Sequence, residues 1–70
     1  MRDYVINKVA KLRKEKGVTQ EEFAEKIAVS RQTVIAIEKG NYIPSLLLGL
    51  KIAKFFKQSV EKVFIYKHEM

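Results

Sequence analysis

Four hydroxyl-bearing residues divide this chain into short helical segments. Thr19, Ser30, Ser45 and Ser59 each precede a run with helical apolar spacing, and a hydroxyl at that position accepts a hydrogen bond from a free backbone N–H at a helix start. Glu22 lies three residues after Thr19, which is the spacing of a capping box. Because the segments between these residues are short, we predict several short helices that share one core.

The apolar spacing gives the bounds of five helices. They are predicted over residues 4–16, 20–27, 31–39, 46–56 and 60–63. Val5, Val9 and Leu12 recur at i, i+4 and i+7, and therefore fall on one face of the first helix. Gly17 follows this helix, where a glycine can take a positive φ and end it.

The fourth helix and the tail complete the pattern. Leu46, Leu50 and Ala53 are expected to form the buried stripe of the fourth helix. Residues 64–66 are rich in β-forming side chains and predict a short C-terminal strand. The predicted fold class is therefore all-α, with five helices and one short strand at the end.

The composition limits the class of protein. A chain of 70 residues is one domain at most, and without cysteine it has no disulfide and no thiolate metal ligand. The formal net charge is +6, and the pI near 9.7 lies in the range of nucleic-acid-binding domains. Residues 1–4 lead into an amphipathic segment, and no apolar run has the length of a membrane span. We therefore expect no signal peptide, no transmembrane helix and a cytoplasmic location.

The second and third helices are joined by only three residues, Ala28-Val29-Ser30. A link this short prevents antiparallel packing, so the two helices should cross steeply. Phe23 and Ile27 of the second helix, and Val34 and Ile37 of the third, are expected to face inward at the crossing. This is the geometry of a helix-turn-helix unit.

Four runs of residues carry a family resemblance: Leu12 to Ala24, Val29 to Val34, Ile37 to Gly40 and Pro44 to Leu46. With caps, turn and core positions in register over about residues 5–64, the chain resembles the short stand-alone members of the Cro/C1-type (Xre) family of bacterial and phage repressors. The resemblance implies a five-helix, lambda-repressor-like domain. It also implies a homodimer that binds palindromic operators in double-stranded DNA.

In this family the third helix enters the major groove, and its first residues contact base edges. Those residues are here Arg31, Gln32 and Thr33. A bidentate contact of Arg31 with guanine and of Gln32 with adenine is expected, while Thr33 suits a thymine methyl or a phosphate. Ile35 stands where polar residues are usual, and it fits either a thymine-methyl contact or packing.

A second set of residues is expected to contact the DNA backbone. Gln20 matches a family glutamine that binds a phosphate beside the free N–H groups of a helix start. Ser30 is predicted to be a cap and a phosphate contact, and Lys39 and Asn41 are predicted phosphate donors. Tyr42 fits a phosphate contact through its hydroxyl or packing on the core, and the sequence favours neither.

Two further features concern the scaffold. The resemblance implies an ion pair between Arg13 and Glu38, which would connect the first helix to the end of the third. Ala28 stands where the family commonly has glycine, because the chain tends to a positive φ there. An alanine in that conformation costs about 1–2 kcal/mol, so strain is expected in this turn.

Surplus apolar residues predict a dimer interface. Leu47 gives the fourth helix apolar surface beyond one stripe. Phe64, Ile65 and Tyr66 offer a second surface, alone or paired in a sheet with residues 2–6. The alternative is that these residues only complete the core of one subunit. A dimer is favoured because two half-sites about 34 Å apart multiply the specificity of one small domain.

No residue pattern predicts catalysis, a metal, a cofactor or a small-molecule ligand. His68 is the only histidine and lies near the end of the chain. Glu21, Glu22 and Glu25 form one acidic helix face rather than a catalytic pair. The predicted function is sequence-specific regulation of transcription, by a repressor that occludes a promoter. The alternative is an antitoxin-type interaction module that neutralises a partner protein.

Overall fold

A computed structural model describes residues 2–69 as five helices and two strands. In chain order these are β1 (Arg2–Asn7), α1 (Val9–Lys16), α2 (Gln20–Lys26), α3 (Arg31–Glu38), α4 (Leu46–Phe55), α5 (Val60–Val63) and β2 (Phe64–Glu69). The helices surround one core, and the two strands pair antiparallel. Within the described residues, no helix has both the length and the apolar character needed to cross a membrane.

The N-terminal segment is a strand, so the prediction of a helix from residue 4 is wrong. Val5 pairs with Tyr66 and Ile6 with Ile65 in the β1–β2 ladder, which explains why these β-forming residues do not continue α1. Asn7 separates the two elements, because its Oδ1 accepts a hydrogen bond from the Val9 N–H at 3.1 Å. The predicted all-α fold class is therefore only approximate. The predicted C-terminal strand is confirmed, and it pairs with residues 2–7 of the same chain.

The core lies where all five helices meet. Its fully buried side chains are Val9, Phe23, Ile27, Val34, Ile37, Ile52 and Val63. The rings of Phe23, Phe55 and Phe56 pack with centroids 5.1–5.2 Å apart, which is a favourable spacing for aromatic pairs. The predicted inward faces of α2 and α3 are confirmed.

The buried stripe of α4 differs from the predicted one. Leu48, Gly49, Ile52 and Ala53 are buried, whereas Leu46 and Leu50 are exposed. The helix carries two sets of apolar residues at helical spacing, and only one of them can face the core. The prediction that Leu46 and Leu50 are buried is therefore wrong, while the predicted burial of Ala53 is confirmed.

The predicted caps are present at three of the four positions. The hydroxyls of Thr19, Ser30 and Ser45 each accept a hydrogen bond from the backbone N–H three residues later. The carboxylate of Glu22 also accepts one from the Thr19 N–H, which completes the predicted capping box. Ser59 stands at the start of α5, but its side chain makes no such bond.

Four turns after helices share one backbone motif, in which a residue takes a left-handed conformation. Its φ is +76° at Gly17, +61° at Ala28, +79° at Gly40 and +56° at Lys57. The N–H of each donates to the carbonyl three residues back, and the next N–H donates to the carbonyl five residues back. These are the two bonds of a Schellman motif. The positive φ expected at Ala28 is confirmed.

Candidate nucleic-acid interface

The first turn of α3 is held by a local network of hydroxyl groups. The Ser30 hydroxyl accepts a hydrogen bond from the Thr33 N–H at 3.1 Å, and the two hydroxyl oxygens lie 3.0 Å apart. Arg31 and Gln32 lie between these residues and are exposed. The turn therefore presents two long polar side chains from a fixed backbone, on the side of α3 that faces away from the core.

The outer face of α3 continues beyond this first turn. Ile35 and Ala36 follow Arg31 and Gln32 at i+4, and residues at this spacing lie on the same side of a helix. Both are half-buried, unlike Val34 and Ile37, which are buried completely. Ile35 therefore does not belong to the core, although part of its side chain is covered.

Tyr42 lies next to the outer face of α3. With Ser30, Gln32, Thr33 and Ala36, it lines one shallow depression. Its side chain is 45% exposed, which leaves open both alternatives for this residue, a phosphate contact through the hydroxyl and packing on the core. Ala36, one turn after Gln32, belongs to the same depression.

A second depression lies at the start of α2. It is lined by Arg13, Thr19, Gln20, Glu21 and Arg31. The structure thus brings Gln20, a predicted phosphate contact, to the same surface as Arg31, a predicted base contact. Lys39 and Asn41 are exposed just after α3, so the predicted backbone contacts lie before and after the same helix.

The ion pair between Arg13 and Glu38 is present. Arg13 Nε lies 2.6 Å from Glu38 Oε2, and the two side chains are only 10% and 8% exposed. Arg13 also donates from Nη1 to the Val18 carbonyl at 2.9 Å. Gln20 Nε2 donates to Glu38 Oε1 at 3.0 Å. This pair therefore connects α1 and the start of α2 to the end of α3.

The charge state of Glu38 follows from these partners. Burial alone would raise the pKa of its carboxyl group, but the hydrogen bonds from Arg13 and Gln20 outweigh burial, and the pKa lies below its usual value. One amide hydrogen of Gln20 is engaged by Glu38, and the amide carries a second one. Gln20 can therefore keep this bond and still donate outward.

The end of α3 is also bound by β1. Asn7 Nδ2 donates to the Ile37 carbonyl at 2.9 Å. This contact joins β1, part of which was predicted to be helical, to α3, the helix that carries the candidate site. No local pattern predicts it, because the two residues are thirty positions apart.

The residues predicted to form a dimer interface are divided between two environments. Leu47 and Tyr66 are 71% and 66% exposed. Phe64 and Ile65 are half-buried, and Phe64 packs against the core cluster. Packing within one subunit therefore explains the buried part of the Phe64 side chain. It does not explain why Leu47 and Tyr66 are apolar and exposed.

Two short helices that pack against each other and are joined by the four residues 27–30, the second of them capped and exposed on its outer face, define a helix-turn-helix domain. The helix-turn-helix family model matches residues 9–63. The chain belongs to this family of Cro/C1-type DNA-binding transcriptional regulators, whose members are not enzymes.

Known relatives agree with this assignment. The chain is 54% identical over 63 residues to uncharacterised HTH-type transcriptional regulators of Methanocaldococcus jannaschii and of Bacillus subtilis (YgzD), with 90% of this chain and 96% of each relative covered. It is 42% identical over 50 residues to the cryptic phage CTXphi transcriptional repressor RstR of Vibrio cholerae, covering 71% of this chain and 45% of that protein. A crystal structure of a Bacteroides fragilis protein matches with a TM-score of 0.77 at 22% identity, over 86% of this chain and 97% of that one. This last match supports the fold.

Proposed function

We propose that this regulator is a repressor that binds a palindromic operator as a homodimer, with α3 in the major groove of each half-site. The observation that carries the proposal is the capped first turn of α3, which presents Arg31 and Gln32 to solvent from a fixed backbone. The B-DNA major groove admits one α-helix, and side chains at the start of that helix reach the base edges.

The base contacts are assigned to the first turn and the outer face of α3. Arg31 bonds the O6 and N7 of a guanine, and Gln32 bonds the N6 and N7 of an adenine. Thr33 shares its hydroxyl with Ser30, so it meets the DNA through its methyl group. Ile35 lies one turn after Arg31 and contacts a thymine methyl.

The backbone contacts flank this helix. Gln20, at the free N–H groups of the α2 start, bonds a phosphate with the amide hydrogen that Glu38 leaves available. Ser30, Lys39 and Asn41 donate to further phosphates, as does the hydroxyl of Tyr42. The net charge of +6 adds a sequence-independent attraction that weakens as salt rises.

Repression is the regulatory outcome we propose. One of the relatives is named a transcriptional repressor, and a dimer bound across a promoter excludes polymerase without any further activity. Two copies of α3 read two half-sites, which gives one small domain the specificity that a single helix lacks. The cytoplasm, where the DNA is, is the compartment in which this function operates.

Selection from a pool of random duplex DNA at about 150 mM salt tests the proposal. We expect enrichment of a palindrome. Arg31→Ala and Gln32→Ala should each cost about 1–3 kcal/mol and relax the preference at one position of each half-site. Lys39→Ala should instead weaken binding to all sequences and lower the salt slope by about one. Lys67→Ala removes the same charge from β2 and is the matched control.

Weak binding that is uniform across the pool would contradict the proposal. So would a palindrome whose sequence and affinity stay the same in Arg31→Ala and Gln32→Ala. In the first case, co-purification of a second protein would point to the antitoxin-type alternative.

A further inference from the structure

The Asn7 side chain joins the N-terminal strand to the end of α3. It is half-buried at the junction of β1 and α1. Its Oδ1 accepts a hydrogen bond from the Val9 N–H at 3.1 Å, and its Nδ2 donates to the Ile37 carbonyl at 2.9 Å. The acceptor end of the amide thus serves the start of α1, whereas the donor end acts on a different helix.

The Ile37 carbonyl lies at the point where α3 ends. It accepts a second hydrogen bond, from the Gly40 N–H at 3.0 Å, and the Asn41 N–H donates to the Ala36 carbonyl at 2.9 Å. These are the two backbone bonds of the turn after α3. A carbonyl oxygen has two lone pairs, so the bonds from Asn7 and Gly40 fill the acceptor capacity of Ile37. The side chain of Asn7 is therefore connected directly to this turn.

β1 holds Asn7 in place and lies beside the loop that follows α3. Asn7 pairs with Phe64 at the end of the β1–β2 ladder, so its backbone is fixed on the strand side. Tyr4 and Asn7 of the strand line one small cavity together with Gly40 and Tyr42 of the loop. The support for the turn after α3 therefore comes from outside the helix-turn-helix unit that α2 and α3 form.

We propose that Asn7 is a positioning residue for DNA recognition, which acts through the end of α3 and not by contact with DNA. The inference rests on the proposed function and adds a residue to it. Lys39, Asn41 and Tyr42, the proposed phosphate contacts after α3, lie in or directly after the turn that Asn7 holds. Phosphate contacts fix the register and orientation of a recognition helix on the duplex. The direction in which the chain leaves α3 therefore affects the base contacts proposed at its first turn.

Such a role has a signature that stabilisation alone lacks. Binding to unrelated DNA is mainly an attraction between basic side chains and phosphates, and it tolerates small displacements. Binding to an operator requires base and phosphate contacts together, held within about 0.5 Å of their productive geometry. Loss of the bond from Asn7 should therefore weaken binding to the operator far more than binding to unrelated DNA. A variant that is only less stable loses both in equal measure, because fewer molecules are folded.

The chemistry of the side chain separates its two bonds. An ionised carboxylate accepts hydrogen bonds but cannot donate them. Asn7→Asp should therefore keep the bond from Val9 and lose the bond to Ile37, whereas Asn7→Ala loses both. Gln58→Glu makes the same amide-to-carboxylate change on an exposed residue between α4 and α5, and it is the matched control for charge.

Hydrogen exchange of the full chain without DNA, followed by NMR, tests the effect on the turn. In Asn7→Asp and Asn7→Ala, the Gly40 and Asn41 amides should exchange about three- to tenfold faster than in the wild type, as expected for the loss of one hydrogen bond. The Ala28 and Val29 amides make the same pair of bonds in the turn after α2, and their rates should stay within about twofold. The charge control should leave both pairs of amides unchanged.

A second measurement compares binding to two duplexes at about 150 mM salt. One is the palindrome that the wild type selects, and the other is an unrelated sequence of equal length. Asn7→Asp should bind the palindrome about tenfold more weakly than Gln58→Glu does, and the unrelated duplex within about threefold of it. Asn7→Ala should show the same selective loss against the wild type. Circular dichroism confirms that each variant is folded at the temperature of the assay.

Three results would overturn the inference. The first is full affinity for the palindrome in either Asn7 variant, and the second is an equal loss on both duplexes. The third is faster exchange in both turns or in neither. A wild type that selects no palindrome is a different outcome: it would overturn the proposed function, and with it the role of Asn7 in recognition, whatever the exchange rates of the turn.

Discussion

Replacing Ala28 by glycine should stabilise this protein, although the change removes a methyl group. Ala28 holds a φ of +61° in the turn between α2 and α3, where the Val29 N–H reaches back to the Ala24 carbonyl at 3.0 Å. An L-residue in this conformation has its Cβ too close to a carbonyl oxygen. The side chain is exposed, so little packing is lost with it.

The size of the effect is a difference between two opposing contributions. Removing the Cβ relieves about 1–2 kcal/mol of strain, while the added freedom of glycine in the unfolded chain opposes this by about 0.5–1 kcal/mol. The net gain should be about 0.5–1 kcal/mol. For a domain of this size, each kcal/mol moves Tm by about 4–8 °C, so the expected rise is about 2–8 °C.

Gly17 provides the matched control because it takes the same conformation in the same motif. A Cβ at Gly17 would meet nothing within 4 Å, so Gly17→Ala tests the backbone alone and should lower the stability by a similar amount. Thermal unfolding of both variants at one fixed protein concentration is the assay, because the proposed dimerisation would make Tm depend on concentration. If Gly17→Ala destabilises and Ala28→Gly leaves Tm unchanged or lower, the strain attributed to Ala28 is refuted.

Four other perturbations follow from the same structure. Lys57→Gly should raise stability as Ala28→Gly does, and the double variant should show roughly the sum, because the two turns share no partner. Glu38→Ala should lower the free energy of unfolding, measured in urea, by about 3 kcal/mol, because the Arg13 guanidinium then stays mostly buried without its partner. A loss of only a few tenths of a kcal/mol would show that water replaces the carboxylate. The pKa of Glu38 is lowered in the folded state, so its contribution is present above its unfolded pKa and lost as pH falls through the folded one. Acid titration of stability should therefore be flatter in Glu38→Gln than in the wild type, and parallel curves would contradict this. Thr19→Ala should lower the free energy of unfolding by about 0.5–2 kcal/mol because it removes the α2 cap, whereas Thr19→Ser keeps the hydroxyl and should lie close to the wild type; equal losses in the two variants would contradict this.

The elements defined by short-range signals could be predicted from the sequence. The caps Thr19, Ser30 and Ser45 each act within three residues, so a local pattern contains all the information that fixes the helix start. The positive φ of Ala28 was expected from the family resemblance, because the family commonly has glycine at that position, and the structure confirms it. The ion pair of Arg13 with Glu38 was accessible through the family resemblance alone.

Where a distant partner decides between two local patterns, the sequence left the choice open. Val5 fits both a helix face with Val9 and a strand, and the choice depends on its pairing with Tyr66 at the other end of the chain. The same ambiguity affects α4, where Leu46 and Leu50 compete with Leu48 and Ile52 for the core. Hydrophobicity cannot separate the two stripes, because the direction from which the rest of the protein packs decides between them.

Both errors concern parts of the molecule that support the function rather than perform it. β1 places Asn7 against the Ile37 carbonyl, so the strand holds the last turn of α3, while Ser30 holds its first turn. The base contacts proposed for α3 depend on the orientation of the whole helix, and contacts at both of its ends fix that orientation. Leu46 and Leu50, which were predicted to be buried, lie on the exposed side of α4. The residues proposed to contact DNA could therefore be named from the sequence, whereas the contacts that orient α3 depend on the tertiary fold.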